Sequence, residues 1–536
     1  VGDQPVEVAH AHAARGTGSA EALRRQGDPP GRRFRDSLHP HIIAGRVPSG
    51  DARPSRDGLR QGPGRIAAAS GDPWQDGGVT GSEVSAAQAK RNVTITAAIA
   101  GLAGLLFGYD TGIIAGALLT ITPEFSLDSL ESGLVVGAVP IGAVAGAWFA
   151  SKGADRYGRR RLILVSAAIF IIGAVVSAIS PGALVLILSR VVIGVGIGVA
   201  SAVAPVYISE VAPPELRGSL VTFFQLAVTV GILVAYLVGY AFTDAADGWR
   251  WMLGLGAVPA LAMAIGIVRL PKSPRWLIMQ DDDEGARKAL ERVRPAGAEA
   301  IDMEIGEIKA SMGTETGTWK DLRKPAVKAA LLVGIGLAIL QQITGINTVI
   351  YYAPTIIQST GIDSASSAIF ASLGVGIINV LMTVVALRLL DRVGRRTLLF
   401  IGVSGMSASL FALGLAFISG MPETLSTALA IGSLMVFVSS FAISLGPIFW
   451  LLNAEIYPLS VRSKAASAGT MTNWFFNFVV SVTFLGLIDL LTEVGAFWFY
   501  GAIGLVTLWF CWKFVPETKG KSLEQIDAVF ERRARG

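Results

Sequence analysis

Along this chain apolar residues collect into long runs separated by short polar breaks, without the two-residue period of half-buried strands or the polar stripe of surface helices. Crossing a bilayer takes about 20 consecutive apolar residues. Twelve windows reach that length, near residues 93–119, 133–151, 161–179, 184–208, 218–241, 250–270, 327–353, 367–390, 397–418, 427–454, 465–487 and 495–515. The pattern predicts an all-α polytopic membrane protein. Residues 1–84 differ: rich in Arg, Gly, Pro, Ala and Asp and without apolar periodicity, they read as a disordered extension. They lack the apolar core of a cleaved leader. Because the chain opens on Val1 and its first methionine is Met252, the biological start is expected nearer Val79 or Val84, with a genuine cytoplasmic tail as the alternative.

The breaks alternate in charge. "SKGADRYGRRR", "EVAPPELRG", the segment 271–326, "LDRVGRR", "PLSVRSK" and the tail carry Lys or Arg. "TPEFSLDSLES", "SPGA", "TDAADG", "STGIDSAS", "GMPETLS" and "DLLTEVG" carry acids or nothing, with Arg250 the basic residue close by. The positive-inside rule puts the first group, and both termini, in the cytoplasm of a multi-pass protein of the cell membrane.

Composition agrees: 52% of residues are hydrophobic, 16% are charged and the mean hydropathy is +0.56. The formal charge of +5 and pI of 9.3 follow from topology, with no continuous basic face to suggest a nucleic-acid partner. All four histidines lie within the first 41 residues, so proton chemistry in the spans falls to carboxylates. The single cysteine, Cys511, builds no disulfide or thiolate metal site within the chain. No cofactor is expected, and without an activated nucleophile pair or metal cluster an enzyme is the least favoured class.

The windows form two similar groups of six. "ADRYGRRRLIL" recurs as "LDRVGRRTLLF", with Asp155 and Asp391 236 positions apart. "GYDTGII" and "GINTVIY" set Asp110 opposite Asn347 at 237, and Glu210 with Arg217 recurs as Glu455 with Arg462 at 245. The halves are parallel repeats, the plan of transporters whose two bundles rock about a midplane site. The expected organisation is the extension 1–84, a first six-helix bundle 85–270, linker helices 271–326, a second bundle 327–515 and a cytoplasmic tail 516–536. "DDDEGARKALERV" and "EAIDMEIGEIKASM" read as short amphipathic helices, either a latch between the halves or a solvated linker.

Six motifs in this order, "FGYDTG" at 107, "ADRYGRR" at 154, "PKSPRWL" at 271, "QQITGINTVIYY" at 341, "LDRVGRR" at 390 and "PETKGKSLEQI" at 516, make the chain resemble a sugar porter of the major facilitator superfamily over residues 93–527. It departs at Ser151 and Ser463, where glycine is usual, which leaves the charges intact. The resemblance favours a cytoplasmic gate in which carboxylates and guanidinium forks pair across neighbouring spans and part on opening. Its members would be Asp155, Arg156, Arg159, Arg160, Glu210 and Arg217, with Asp391, Arg392, Arg395, Arg396, Glu455 and Arg462. Plain positive-inside orientation would need the basic residues but not the acids.

The seventh window is unusually polar, with Gln341, Gln342, Thr344 and Asn347 before Tyr351 and Tyr352. An amide offers donor and acceptor together, matching a hydroxyl group without the desolvation cost of an ion. Gly345 and Pro354 would allow local unwinding. Further amides are Gln225, Asn379, Asn473 and Asn477, the last two on one helix face, and Trp450 and Trp474 add flat apolar faces. The resemblance implies sugar contact for Gln225, Gln341, Gln342, Asn347, Asn379, Gly446, Trp450, Asn473 and Trp474, a lining role for Phe107, and an outer gate for Tyr351 and Tyr352. Interhelical bonding alone is the competing account for any one of them.

Asp110 is a charge inside an apolar run, a costly placement that usually marks function. Counting from span ends, Arg190 in the fourth window lies within about 3 Å of the same depth. The pair is either a fixed bridge or the proton-coupling site. In the resemblance, proton symporters have Asp here and many uniporters Asn, which favours coupling: Asp110 takes a proton outside as its bond to Arg190 loosens and releases it inside. The function expected is import of a neutral hexose, pentose or polyol by proton symport through alternating access, the protein working as a monomer among membrane lipids. The alternatives are a facilitative uniporter, a transporter-like sugar sensor and a multidrug exporter.

Overall fold

The computed structural model describes residues 85–295, 297–312, 317–521, 525, 529–530 and 532, the side chains of Gly218, Ala326, Asp391 and Leu459 excepted. The expected extension 1–84 lies outside the described residues, and so does most of the tail after 521.

Among the described residues the regular structure is helical throughout. Five long helices come first: α1 (Ala86–Phe125), α2 (Ser129–Tyr157), α3 (Arg159–Ala178), α4 (Ala183–Val211) and α5 (Pro214–Phe242). The sixth crossing is split into α6 (Gly248–Gly254) and α7 (Ala257–Ile267). Three short helices follow, α8 (Pro274–Ile278), α9 (Asp283–Glu291) and α10 (Ala298–Met312). The second half opens with another split crossing, α11 (Pro325–Ile343) and α12 (Ile346–Gln358), then α13 (Ala365–Val393) and α14 (Arg395–Leu415). A third split crossing, α15 (Glu423–Ala442) and α16 (Leu445–Glu455), precedes α17 (Arg462–Phe514).

Helix α17 has 53 residues and would run about 80 Å if straight, against a hydrocarbon core of about 30 Å. Thr492, at φ 63° and ψ 170°, breaks it into two crossings, so the twelve expected spans are present. The break is a single residue where the sequence suggested a loop. The helices also extend past the apolar windows, and polar residues cap their ends. Ser85 accepts from the Gln88 N–H at the start of α1, and Asp128 and Glu131 form a reciprocal capping box on α2.

Glycines set the closest packing within the first half. A Cβ on Gly108 would stand 1.8 Å from the Val228 carbonyl oxygen of α5, and one on Gly146 would stand 2.2 Å from that of Val195 on α4. Helices meet backbone to backbone there, as small residues allow in membranes. Between the halves, Gly133 of α2 lies against Val482 of α17, and Gly376 of α13 against Leu233 and Tyr236 of α5.

Helices α8–α10 gather Trp276, Leu277, Ile278, Ala286, Ala289, Leu290, Ile301 and Ile305 into a small core of their own. Arg294 fastens this unit to the first half by donating to the Val211 and Ala212 carbonyls while pairing with Glu304 at 2.8 Å. The Asn92 amide also donates to the Arg292 carbonyl. On the far side, the Gly317 N–H donates to the Ser460 carbonyl of the second half. Among the described residues, α8–α10 form a small folded unit docked on the first half.

Candidate functional site

The Asp110 carboxylate of α1 meets the Arg190 guanidinium of α4 fork to fork, Nη1 to Oδ1 and Nη2 to Oδ2, both at 3.3 Å. Arg190 Nε donates to the Val135 carbonyl of α2 at 2.7 Å, so one guanidinium ties three helices. Both side chains are buried. An ion pair out of water holds only when its geometry is good and further hydrogen bonds support it, and here each of the three guanidinium nitrogens has a partner.

An amide network joins α11, α12 and α17. The helix break at Thr344–Gly345, with Gly345 at φ 90°, turns the side chains of α11 and α12 toward one another. Gln342 Nε2 donates to Asn473 Oδ1 (3.0 Å) and its Oε1 accepts from Asn347 (2.5 Å). Asn473 Nδ2 donates to Gln341 Oε1 (2.7 Å), and Gln341 Nε2 to the Leu445 carbonyl (2.7 Å) with Gly446 at 3.5 Å. Gln341 thus joins the break in the seventh crossing to the break in the tenth. The expected unwinding happens at Gly345 but not at Pro354, through which α12 runs as an unbroken helix.

The other expected contact residues lie on α1, α5, α12, α13, α16 and α17. Phe107 of the first half packs edge-on against Trp474 of the second, ring centroids 5.0 Å apart, and the buried Trp474 Nε1 has no partner among the described residues. Trp450 is half-buried against Phe449. The amides of Gln225 on α5 and Asn379 on α13 make no hydrogen bond among the described residues. Asn477 accepts from Ser481. Of the two tyrosines, Tyr352 donates to the Ser481 carbonyl, while Tyr351 lies near Asn477, Thr111, Asp110 and Arg190.

At the arginine-rich end the observed pairs join helices of one half. Arg159 holds Asp155 and Glu210, each at 3.0 Å, and donates to the Ala154 carbonyl. Its counterpart Arg395 donates to the Leu390 carbonyl and lies 4.0 Å from Glu455. The second arginine of each motif holds no acid in these pairs: Arg160 donates to the Val268 carbonyl and Arg396 to that of Trp512, closing the last turn of the sixth and twelfth crossings. Arg156, Arg217 and Arg392 are exposed, Arg156 over the Tyr157 ring. Arg462 donates to the Tyr457 carbonyl. The Asp391 side chain lies outside the described residues.

Four residues that the motifs "PKSPRWL" and "PETKGKSLEQI" contain, but to which the sequence reading assigned no role, complete this end. Ser273 donates to Glu210 at 2.6 Å and Thr518 to Glu455 at 3.4 Å. Trp276 packs on Gly158 and donates to the Asp155 carbonyl. Glu517 accepts the first N–H groups of α14, from Arg395 and Arg396. Burial alone would raise the Glu517 carboxyl, but the backbone N–H groups of Lys519, Arg396, Arg395 and Thr518 outweigh it and hold it below the usual range. The signal was present: the 245-residue offset of the two glutamates also relates Pro271 to Pro516 and Ser273 to Thr518.

Twelve crossings in two repeated halves, a buried ion pair and an amide network between broken helices define a two-bundle membrane transporter of the major facilitator type. The chain belongs to the sugar (and other) transporter family, whose model matches residues 96–530. It is 41% identical to a D-xylose transporter of Levilactobacillus brevis over 80% of this chain and 93% of the relative. It is 39% identical to a galactose-proton symporter of Escherichia coli, over 80% and 92%. Among solved structures, the xylose transporter XylE from E. coli, in a partially occluded inward-open conformation, superposes with a TM-score of 0.72 at 32% identity, over 81% of this chain and all of that one.

Proposed function

We propose that the protein imports a neutral sugar or polyol together with a proton. The observation that carries this reading is the Asp110–Arg190 pair, a buried titratable carboxylate one helix away from an amide network able to receive hydroxyl groups. Relatives named as a D-xylose transporter and a galactose-proton symporter support it. Asp110 carries the proton. Burial and Arg190 act on it in opposite directions, so a change of contact as the halves rock lets it bind and release. Gln225, Asn379 and the Trp474 N–H are open to hydroxyl groups. Gln342, Asn347 and Asn473 exchange their mutual bonds for the sugar, with Phe107, Trp450 and Trp474 along its apolar faces.

In this reading the arginine-rich end and both termini face the cytoplasm, and one chain suffices for transport in the cell membrane. The cytoplasmic gate is built from Arg159 with Asp155 and Glu210 and, in the second half, Arg395 with Glu455. The opposite end is closed, in keeping with the partially occluded inward-open conformation of the solved relative. One proton moving down 100 mV supplies about 2.3 kcal/mol, enough for roughly fifty-fold accumulation of a neutral sugar. Vesicles holding the purified protein test this: added glucose, xylose or myo-inositol should alkalinise the external medium as proton and sugar enter, and no pH change with any transported sugar would contradict symport.

A further inference from the structure

Helix α12 crosses Pro354 without breaking. In an α-helix the carbonyl of residue i accepts from the N–H of residue i+4, and proline has none. The carbonyl deprived of its partner is that of Ile350, deep in the molecule, where an unmet acceptor is costly. Its partner comes from the other half: the Tyr236 hydroxyl of α5, itself buried, donates to the Ile350 oxygen at 2.9 Å. One residue further along, Tyr351 adjoins Thr111, Asp110 and Arg190 of the first half. One residue beyond that, Tyr352 binds Ser481 within the second half.

We propose that Tyr236 is a positioning residue for transport, the latch that holds α12 closed over the site. Its hydrogen bond to Ile350 joins two bundles that must separate at this end when the outside opens, and Pro354 creates the acceptor. Gly345, at φ 90°, separates α12 from α11, so α12 is a half-helix that can swing. Opening brings water to both groups, so each keeps a partner and the latch releases without stranding either. The bond therefore biases the conformer equilibrium by an amount small enough to be reversed in each cycle.

The inference rests on the transporter reading above for the existence of two alternating states, but not on symport. Spin labels on cysteines replacing Ala245 and Asp363, both exposed in connections at this end, report the separation of the halves in the reconstituted full chain; Cys511 is buried. Tyr236→Phe removes one hydroxyl and should raise the ratio of long to short distances by about 2- to 10-fold, the net effect of one neutral hydrogen bond. Pro354→Ala returns an N–H to α12, satisfies Ile350 within the helix and should shift the ratio the same way. The double variant should add nothing to the larger single effect. Tyr207→Phe, which loses a tyrosine–carbonyl bond within one half, should leave the distances unchanged. Wild-type distances in Tyr236→Phe, or additive shifts in the double variant, would overturn the proposal. Absence of sugar-driven proton movement would overturn symport and leave this test standing.

Discussion

Arg190 grips Asp110 with two nitrogens at 3.3 Å and holds the Val135 carbonyl with a third at 2.7 Å. The arginine is anchored to α2 whether or not the carboxylate is charged, so the carboxylate is the member free to change state. Asp110→Asn keeps the shape and a polar partner for the guanidinium. Asp110→Ala leaves a buried cation uncompensated and should cost about 3–5 kcal/mol. The expected outcome is a folded Asn variant and an Ala variant with a markedly lower melting temperature, measured by thermal unfolding in detergent.

The amides of the site should separate into two groups on substitution. Gln341 has Nε2 bound to Leu445 and Oε1 bound by Asn473, so Gln341→Ala strands buried groups and should lower stability by about 1–3 kcal/mol as well as weaken sugar binding. Asn379 makes no hydrogen bond among the described residues. Asn379→Ala should leave the melting temperature of the sugar-free protein within about 1–2 °C and remove most of the stabilisation that saturating sugar provides.

The paired arginines should also divide. Arg159 and Glu210 each keep only 8% side-chain exposure, so Arg159→Ala leaves an unpaired buried acid and should cost about 3–5 kcal/mol. Arg160 instead meets the Val268 carbonyl at a helix end, and Arg160→Ala should cost about 1 kcal/mol. Thermal unfolding of the two variants side by side checks the ratio.

Much of this was legible in the chain. Hydropathy located the twelve crossings, and counting residues from span ends matched Asp110 with Arg190, because depth along a helix follows directly from position. What lay hidden depends on rotation about the helix axis or on a single residue's backbone. Tyr236 reads as one more apolar-run tyrosine until its azimuth aims it at Ile350. Pro354 signals a lost N–H but not which side chain replaces it. Thr492 turns the chain alone, where "DLLTEVG" suggested several loop residues. Ser273 and Thr518 were obscured because serine and threonine in a polar loop have many ordinary explanations.

Glu517 gives the arginine-rich end an acid dependence. Its folded carboxyl sits below the ordinary glutamate range because four N–H groups favour the ionised form. Its stabilising contribution is therefore complete above the unfolded value, near about 4.3, and is lost as pH falls through the lower folded value. Melting temperatures of wild type and Glu517→Gln between pH 6 and pH 3 should converge toward the acid end, with wild type the more stable at pH 6.

Proton flux coupled to sugar tests the central claim most directly. Vesicles reconstituted with wild type should show external alkalinisation on sugar addition, while Asp110→Asn should exchange labelled for unlabelled sugar across the membrane with no pH change. Alkalinisation of equal size in Asp110→Asn, or none in a wild type that transports the sugar, would contradict the account.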